Sequence, residues 1–241
     1  MQKTLFISDL HLTPTRPDIT DCFMRFMQNE AIECDALYVL GDLFDFWIGD
    51  DDDSPFARQI KQAFKHLTDQ GIPCYFTCGN RDFLVGKRFA KQTGITLLPD
   101  EHVVDLYGRR AVVLHGDTLC TQDERYLEFR AKVHQPWLQR LFKCLPMFVR
   151  RKLVARIQSD IRQDKQQKSM DIMDVTPSEV VNVMHRHQVD LMIHGHTHRP
   201  NIHQNTDSNQ TRIVLGDWFE QGSVLIVKHN DFQLEQREFF H

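Results

Sequence analysis

The sequence predicts an α/β fold with a helical insertion, and three observations lead to that prediction. Apolar runs of three or four residues recur along the chain, each closely followed by a polar residue, and such runs are typical of strands covered on both faces. Amphipathic helix signals fall between them, which indicates alternating strands and helices. Residues from about 122 to 173 have no strand pattern and mostly helical periodicity.

The predicted strands and helices are short and well separated. The strands cover residues 5–7, 37–40, 74–76, 111–114 and 191–193, with plain strands at 212–215, 223–227 and 232–238. One helix is predicted to begin after Ser54, where a proline follows, and to end at Gly71. Capping boxes that start at Thr121 and Thr176 predict the beginning of the insertion and of the helix after it.

Length and composition predict a single domain over residues 1–241. The hydrophobic fraction of 41% and the charged fraction of 26% are ordinary for a globular protein of this length. The six cysteines form no C-x-x-C pair, which favours a reducing compartment over disulfides or a thiolate zinc site. No segment reaches the roughly 18 apolar residues of a membrane helix, and the first apolar run is too short for a secretory signal, so we expect a cytoplasmic protein.

The insertion is both cationic and apolar. Residues 137–168 contain nine basic and two acidic residues, a net charge of +7 in a chain whose total is -4. Such a segment suits a nucleic acid, an anionic membrane surface or a lipid tail. The large apolar residues Trp137, Phe142, Met147 and Phe148 favour lipid. The alternative is an amphipathic bundle that only packs on the core.

Five short polar motifs follow the predicted strands. They are Asp9-Leu-His11, Gly41-Asp42-Leu-Phe-Asp45, Gly79-Asn80-Arg81-Asp82, His115-Gly116-Asp117 and Gly195-His196-Thr-His198. The carboxyl ends of strands in an α/β sheet converge on one crevice, so these motifs are expected to meet there. Their oxygen and imidazole groups suit Mn, Fe or Zn better than Ca.

The spacing within the motifs predicts how the side chains reach the crevice. We expect Asp9 and His11 to lie on the same side of an extended strand end. We expect a glycine beside Asp42, Asn80 and His196 to let the backbone turn sharply. Taken singly, each motif has an ordinary structural reading as a turn, a capping pair or an exposed loop, and only the five together in order favour a metal centre.

Several polar residues near these motifs are predicted to have structural roles and not to bind metal. His194 is predicted to end a strand and to have a supporting role. Asp45 and Asp82 are predicted to orient ligands and not to bind metal. The acidic loop at residues 50–53 is predicted to be solvated.

In these ordered blocks the chain resembles the calcineurin-like metallophosphoesterase family. The resemblance implies a four-layer αββα sandwich of two mixed sheets, with the insertion as a cap over a di-metal site, and water activated against a phosphate. It implies two divalent cations, with Mn as the working metal. One ion would be held by Asp9, His11, Asp42 and His198, and the other by Asp42, Asn80, His115 and His196, so that Asp42 bridges them.

Arg81 stands where many family members have a histidine that protonates the leaving alkoxide. An arginine stays charged near neutral pH and cannot serve as a general acid, although it binds phosphate well. A phosphate monoester that leaves from a diphosphate needs no such proton, because its second pKa is about 6. Arg81 therefore favours cleavage of a diphosphate.

The Asn80-Arg81 pair and the helical cap resemble family members that hydrolyse UDP-2,3-diacylglucosamine in lipid A biosynthesis. That resemblance implies attack on the α-phosphorus, with UMP and 2,3-diacylglucosamine 1-phosphate as products. It implies a cap that associates peripherally with the inner face of the cytoplasmic membrane, with no nucleic acid and no obligate protein partner. The predicted catalytic residues are Asp42, Asn80 and Arg81, and the predicted substrate contacts are Asn80, Arg81, Asp123, Tyr126, Lys165, Lys168 and His196.

Three other functions make different demands on these motifs. A family member acting on another nucleotide, a nucleic acid or a phosphoprotein would depend on the histidine acid that this chain lacks. A non-catalytic scaffold on the same fold would have lost metal ligands, and a membrane-binding module would have no use for them.

Overall fold

The computed structural model describes residues 2–167, 174–205, 209–229 and 231–239, and for residues 158–167 the backbone only. The described strands are β1 (Thr4–Ile7), β2 (Ala36–Leu40), β3 (Cys74–Thr77), β4 (Thr96–Leu97), β5 (Glu101–Leu106), β6 (Arg109–Leu114), β7 (Leu191–His194), β8 (Asn201–Asn205), β9 (Gln210–Val214), β10 (Gly222–Lys228) and β11 (Asp231–Arg237). The described α-helices are α1 (Pro17–Asn29), α2 (Pro55–Asp69), α3 (Lys87–Thr93), α4 (Glu124–Val133), α5 (Pro136–Cys144), α6 (Met147–Gln167) and α7 (Pro177–His187).

The strands form two mixed sheets. The first has the order β11-β10-β1-β2-β3-β4, and the second has the order β5-β6-β7-β9-β8. Strands β1 to β4 run parallel in the first sheet, and β6, β7 and β9 run parallel in the second. In the first sheet, β10 and β11 extend the parallel set antiparallel on the β1 side, and β4 is the other edge. In the second sheet, the antiparallel strands β5 and β8 flank the parallel set on both sides. The predicted α/β class is therefore confirmed.

Three apolar clusters set the order of the layers. Phe6 and Leu225 of the first sheet and Val113 and Ile193 of the second share a core between the sheets. Helices α1 to α3 pack on the outer face of the first sheet, and α7 packs on the outer face of the second. The stacking of helix, sheet, sheet and helix is the predicted four-layer sandwich.

Local sequence explains where two of these helices begin. The Ser54 side chain accepts a hydrogen bond from the Ala57 N–H at 3.2 Å, and α2 starts at the proline between them. This satisfies one of the unpaired amides of the first turn. Helix α7 begins after Thr176 as predicted, but the Thr176 side chain makes no capping bond.

The predicted capping box at Thr121 is wrong. Helix α4 is capped by Asp123, whose side chain accepts from the Tyr126 N–H at 3.1 Å. The Thr121 and Thr176 hydroxyl groups instead lie 2.7 Å apart. These threonines stand at the two ends of the insertion. Their hydrogen bond therefore holds the two ends together. Between them, α4, α5 and α6 occupy the segment predicted as the cap.

The acidic loop at residues 50–53 is not simply solvated. The Asp50 carboxylate is half-buried and accepts from the backbone amides of Gly86, Arg88 and Phe89 at 3.1 Å each. These are the unpaired amides at the start of α3, where a negative charge is favourable. The prediction of solvation is therefore wrong for Asp50.

Candidate metal centre

Polar side chains meet at one edge of the two sheets. Three of their loops follow the parallel strands β1, β2 and β3, and two follow β6 and β7. The loops are bonded to one another by their backbones: the Asp9 N–H donates to Gly41 O at 3.0 Å, and the Gly195 N–H donates to His115 O at 2.9 Å. The structure thus brings all seven predicted ligands into one crevice.

Five of these seven residues have left-handed backbones. Their φ angles are 55° for Asp9, 49° for His11, 52° for Asp42, 71° for His196 and 56° for His198. Positive φ is uncommon for non-glycine residues and is characteristic of functional sites that the surrounding structure holds in place. The expected extended geometry of Asp9 and His11 is therefore wrong.

The glycines beside the ligands are needed more for close contact with the ligand carboxylates than for a sharp turn of the backbone. Only Gly41 among the three predicted positions has positive φ, at 84°. A Cβ at Gly79 would lie 2.3 Å from an Asp42 oxygen, and one at Gly195 would lie 2.3 Å from an Asp9 oxygen. Any larger residue would push the carboxylates out of position.

One half of the centre contains Asp9, His11 and His198. The Nε2 of His198 lies 3.3 Å from Asp9 Oδ1, and the Nε2 atoms of His11 and His198 are 3.5 Å apart. Asp9 and His11 are buried. One donor atom from each of the three lies within 4.8 Å of the others, a spacing that suits a metal ion.

The other half contains Asn80, His115 and His196. Asn80 Oδ1 lies 3.1 Å from His115 Nε2 and 3.1 Å from His196 Nδ1. The Asp42 carboxylate stands between the halves, with Oδ1 3.8 Å from His115 Nε2 and Oδ2 3.9 Å from His11 Nε2. Asp42 is therefore placed to contribute to both.

The donor set fits divalent cations. Carboxylate and amide oxygens stand beside imidazole nitrogens, the mixture that suits Mn, Fe or Zn. Within the described residues, the buried Asp9 Oδ1 has no hydrogen-bond partner, although His198 is close. A buried carboxylate oxygen without such a partner is costly unless a cation compensates it. The assignment of individual ligands stays a prediction.

Burial and charge move the pKa values of these groups in opposite directions. Burial raises the pKa of Asp42 to about 7, against the opposing charge of His115. Burial alone would lower the pKa of His115, but Asp42 and Asp9 outweigh it and raise the pKa to about 9. For His11 and His196 burial dominates and lowers each pKa to about 3. The cluster thus combines buried carboxylates with two imidazoles, His11 and His196, that burial keeps neutral.

Asp217 supports His198 and was missed by the sequence analysis. Its Oδ2 lies 3.0 Å from His198 Nδ1, which leaves Nε2 to face Asp9. Burial alone would lower the pKa of His198, but Asp217 and Asp9 raise it to about 10. A carboxylate on the second imidazole nitrogen orients a metal ligand and increases its basicity. The signal in the sequence is the Gly216-Asp217 pair, which is separated from the end of the strand β9 by one residue.

Two predicted supporting residues do hold the ligand loops. Asp82 is buried and accepts from the Leu43 N–H at 2.8 Å and from the Gly79 N–H at 2.7 Å. It therefore joins the loops that carry Asp42 and Asn80. His194 ends β7 as predicted and is fully buried, with Nδ1 2.8 Å from Gly195 O.

Arg81 stands at the rim of the centre. Its backbone N–H donates to Asp42 Oδ1 at 2.8 Å, and its guanidinium carbon lies 4.9 Å from the centre of the Phe46 ring. The residue is half-buried. The Arg81 backbone is therefore fixed beside the ligands, and the guanidinium lies close enough to the Phe46 ring for a cation–π contact.

The cap reaches the centre through Tyr126. Its hydroxyl donates to the Asp117 carboxylate, and its ring centre lies 6.3 Å from that of His196. Arg130 Nε also donates to Asp117, at 2.7 Å. Burial would raise the pKa of Asp117, but His115 and Arg130 outweigh it and hold that pKa well below its usual value. Asp117, to which the sequence analysis gave no role, therefore joins cap and metal centre.

The remaining predicted substrate contacts lie farther along the cap. Asp123 caps α4, one turn before Tyr126. Lys165 lies in α6, where the backbone alone is described, and Lys168 lies outside the described residues. Their roles stay predictions.

The sequence comparisons identify the family. The model of the calcineurin-like phosphoesterases matches residues 2–200 of this chain. The chain belongs to the calcineurin-like phosphoesterase family. The predicted family is therefore confirmed.

Three curated proteins are similar to this chain over most of their length, and each is named UDP-2,3-diacylglucosamine hydrolase. The Vibrio cholerae protein is 73% identical over 92% of this chain and 93% of its own. The Vibrio atlanticus and Vibrio parahaemolyticus proteins are 66% and 62% identical, each over 98% of both chains. Among the described residues, no helix has the length and apolar character needed to cross a membrane.

Proposed function

We propose that this chain hydrolyses the diphosphate bond of UDP-2,3-diacylglucosamine in lipid A biosynthesis. The observation that carries the proposal is Arg81, a permanent cation fixed beside Asp42 where a histidine acid is expected. The names of the similar proteins support the same substrate. Water forms a bond to the α-phosphorus, the bond from that phosphorus to the bridging oxygen breaks, and the products are UMP and 2,3-diacylglucosamine 1-phosphate.

Two divalent cations belong to the proposal. One is assigned to Asp9, His11, Asp42 and His198, and the other to Asp42, Asn80, His115 and His196. When bound, the cations would supply Lewis-acid activation of the water and neutralise charge on the phosphates. The mixture of oxygen and imidazole nitrogen donors suits Mn, Fe or Zn, and of these we propose manganese because the family resemblance implies it.

Arg81 stabilises the negative charge of the leaving group and transfers no proton. As the α-phosphorus bond breaks, negative charge moves to the leaving phosphate, and a guanidinium directed at its oxygens stabilises that charge. The leaving phosphate has a second pKa of about 6 and departs without a proton donor. This chemistry suits a diphosphate and not an alkyl monoester.

The oxygen and the nitrogen of the Asn80 side-chain amide have different proposed roles. Its Oδ1 faces His115 and His196 at 3.1 Å each, on the side of the proposed ion. The Nδ2 of the same amide is then left to donate to a phosphate oxygen. His196, whose neutral imidazole shares that oxygen, is the third substrate contact proposed at the centre.

The cap is proposed to hold the sugar phosphate and its acyl chains. Tyr126 is fixed against Asp117 beside His196, and Asp123 lies at the start of the same helix. Lys165 and Lys168 are three residues apart and would present charge on one helix side. They are assigned to the sugar phosphate and nearby polar groups.

The cap surface supports peripheral membrane association. Trp137 is 62% exposed and Phe148 is 65% exposed, and Leu141 and Leu153 are also exposed. Exposed apolar side chains among basic residues are typical of binding to an anionic lipid surface. We therefore propose a location on the cytoplasmic face of the inner membrane, with no nucleic acid and no obligate protein partner.

The test is incubation with Mn and UDP-2,3-diacylglucosamine in ¹⁸O-labelled water. We expect UMP as the nucleotide product, with the label in UMP, and complete loss of turnover when a chelator removes the metal. Release of UDP, label in the lipid phosphate, or no turnover would contradict the proposal. Faster turnover of a nucleic acid or phosphoprotein than of the lipid nucleotide would favour the alternative substrate class.

A further inference from the structure

A cavity of about 630 Å³ opens beside one half of the metal centre. Its lining includes His198, Asp217, Phe219, Glu220, Gln221 and Glu235. Ligand pockets have volumes of about 300–1,000 Å³. The cavity is therefore large enough for a part of a substrate that reacts at the centre.

The charge of this cavity excludes some ligands. Three lining residues, Asp217, Glu220 and Glu235, carry carboxylates, and the described lining residues include no lysine or arginine. Asp217 faces His198 at 3.0 Å, and Glu235 pairs with Arg237 at 2.9 Å. Such a wall repels phosphate, and its polar groups do not suit an acyl chain. It suits an uncharged ligand with hydroxyl and amide groups, because carboxylates accept from hydroxyls and the Gln221 amide both donates and accepts.

An aromatic ring stands at the entrance from the metal centre. The Phe219 ring is nearly parallel to the His11 imidazole, with centres 5.2 Å apart and 5° between planes, and the residue is 43% exposed. Its backbone is fixed, since Arg16 Nη2 donates to Phe219 O at 2.7 Å and Phe219 N–H donates to Asp217 Oδ1 at 3.2 Å. The face turned away from His11 is a platform for a planar group.

The cap lies on the other flank of the centre. The described contacts of the cap run to Asp117 and Asp100 through Arg130, and to Ile48 and Asp51 through Arg150. None of these four anchoring residues is among those that line the cavity. The centre is thus flanked by the cap on one side and by the acidic cavity on the other.

We propose that this cavity binds the uridine of the substrate, with the uracil ring on the exposed face of Phe219 and the ribose hydroxyls donating to the carboxylates. The inference rests on the proposed function and deepens it. The diphosphate then lies across the metal centre, with the nucleoside on the His11 and His198 side and the lipid on the His115 and His196 side.

The experiment compares Phe219→Leu, Phe219→Trp and the matched control Phe232→Leu, which makes the same change on β11 outside the cavity. For each Mn-loaded protein, kcat/KM is measured for UDP-2,3-diacylglucosamine and for bis(4-nitrophenyl) phosphate, which has no nucleoside. We expect the ratio of the two values to fall about tenfold in Phe219→Leu, since an aromatic ring under a base contributes about this much. Phe219→Trp and Phe232→Leu should keep the parent ratio.

Saturation-transfer NMR with uridine alone gives a second readout. We expect transfer to the uracil protons in the parent and in Phe232→Leu, and its loss in Phe219→Leu. An unchanged substrate ratio in Phe219→Leu, or equal losses on both substrates, would overturn the inference while UMP release by the parent still supports the proposed function. If the parent releases no UMP, the proposed function fails, and uridine binding alone decides the cavity assignment.

Discussion

The metal centre and the cap are adjacent in space but differ in almost every physical respect. Asp9 is fully buried and His115 is 2% exposed, whereas Trp137 and Phe148 of the cap are 62% and 65% exposed. The loops of the centre are joined by backbone hydrogen bonds. In contrast, α4 and α5 bury none of their residues fully.

This difference matches the tasks that we propose for the two regions. Hydrolysis needs ligands held to within fractions of an ångström, so left-handed backbones and close glycine contacts are tolerated there. A lipid with flexible chains needs an apolar surface that closes on it. The cap therefore relies on a few anchors, such as Tyr126 on Asp117 and the buried Arg150 on Asp51.

The largest expected effect is that of Asp42→Ala. The carboxylate stands between both halves of the centre, so its loss should remove both cations and lower kcat by at least about 10³-fold. Metal content by mass spectrometry and turnover of the lipid nucleotide are the measurements. An Asp42→Ala protein with both metals and normal turnover would remove the basis of the two-ion assignment.

The matched comparison for Asp42→Ala is His11→Ala, which removes a residue from one half of the centre only. It should retain one cation and more activity, because His11 is assigned to one ion only. Equal metal loss in both variants would contradict a bridging role for Asp42. Thermal unfolding of the metal-free proteins separates ligand loss from misfolding.

Arg81→Ala should lower kcat by about 10²- to 10³-fold, which is the effect of removing one donor that faces developing charge. Metal content should stay at the parent level, because the guanidinium contacts substrate and not the ions. Arg81→His should not restore turnover of the diphosphate. If His and Arg served equally well at this position, the leaving-group argument would be wrong.

Arg150→Met tests how the cap is anchored. Arg150 is 2% exposed and donates to Ile48 O at 2.9 Å and to Asp51 Oδ1 at 2.8 Å. Because the Asp51 side chain is 43% exposed, we expect a screened loss of about 1–2 kcal/mol in the stability of cap docking. Faster proteolysis within the cap, with unchanged turnover of a small phosphodiester, is the predicted result.

Arg151→Met provides the control for Arg150→Met. Its guanidinium is 3.8 Å from Asp52 and its side chain is 59% exposed, so the cost should stay below about 0.5 kcal/mol. Similar proteolysis of both variants would mean that Arg150 does not anchor the cap.

The smallest effects on turnover are expected for Lys165→Ala and Lys168→Ala. Each should reduce kcat/KM for the lipid nucleotide by about 5- to 10-fold, the range of one charge-assisted contact in a partly solvated site. Hydrolysis of a small activated phosphodiester should change little. Parent-like turnover of the lipid nucleotide by both variants would refute the proposed contacts in the cap.

The main strands and the helices α2 and α7 could be predicted because their apolar residues form regular patterns within short stretches of the sequence. Strand β8, Asn201–Asn205, was not predicted, since it is largely exposed and polar and is held by its pairing with β9. Helices α1 and α3 and strands β4 and β5 were also missed. Helix α3 lacks a side-chain cap of its own and is capped from Asp50, 36 residues before Gly86.

The sequence by itself determined the chemical types of the seven predicted ligands, their order, and the arginine beside Asn80, because each motif directly follows a strand. Only the tertiary structure decided the left-handed backbones of Asp9 and Asp42, the support of His198 by Asp217, and the anchoring of the cap by Arg150. These features depend on contacts between residues far apart in the chain. Local pattern contains no information about such contacts until the two sheets pair and pack.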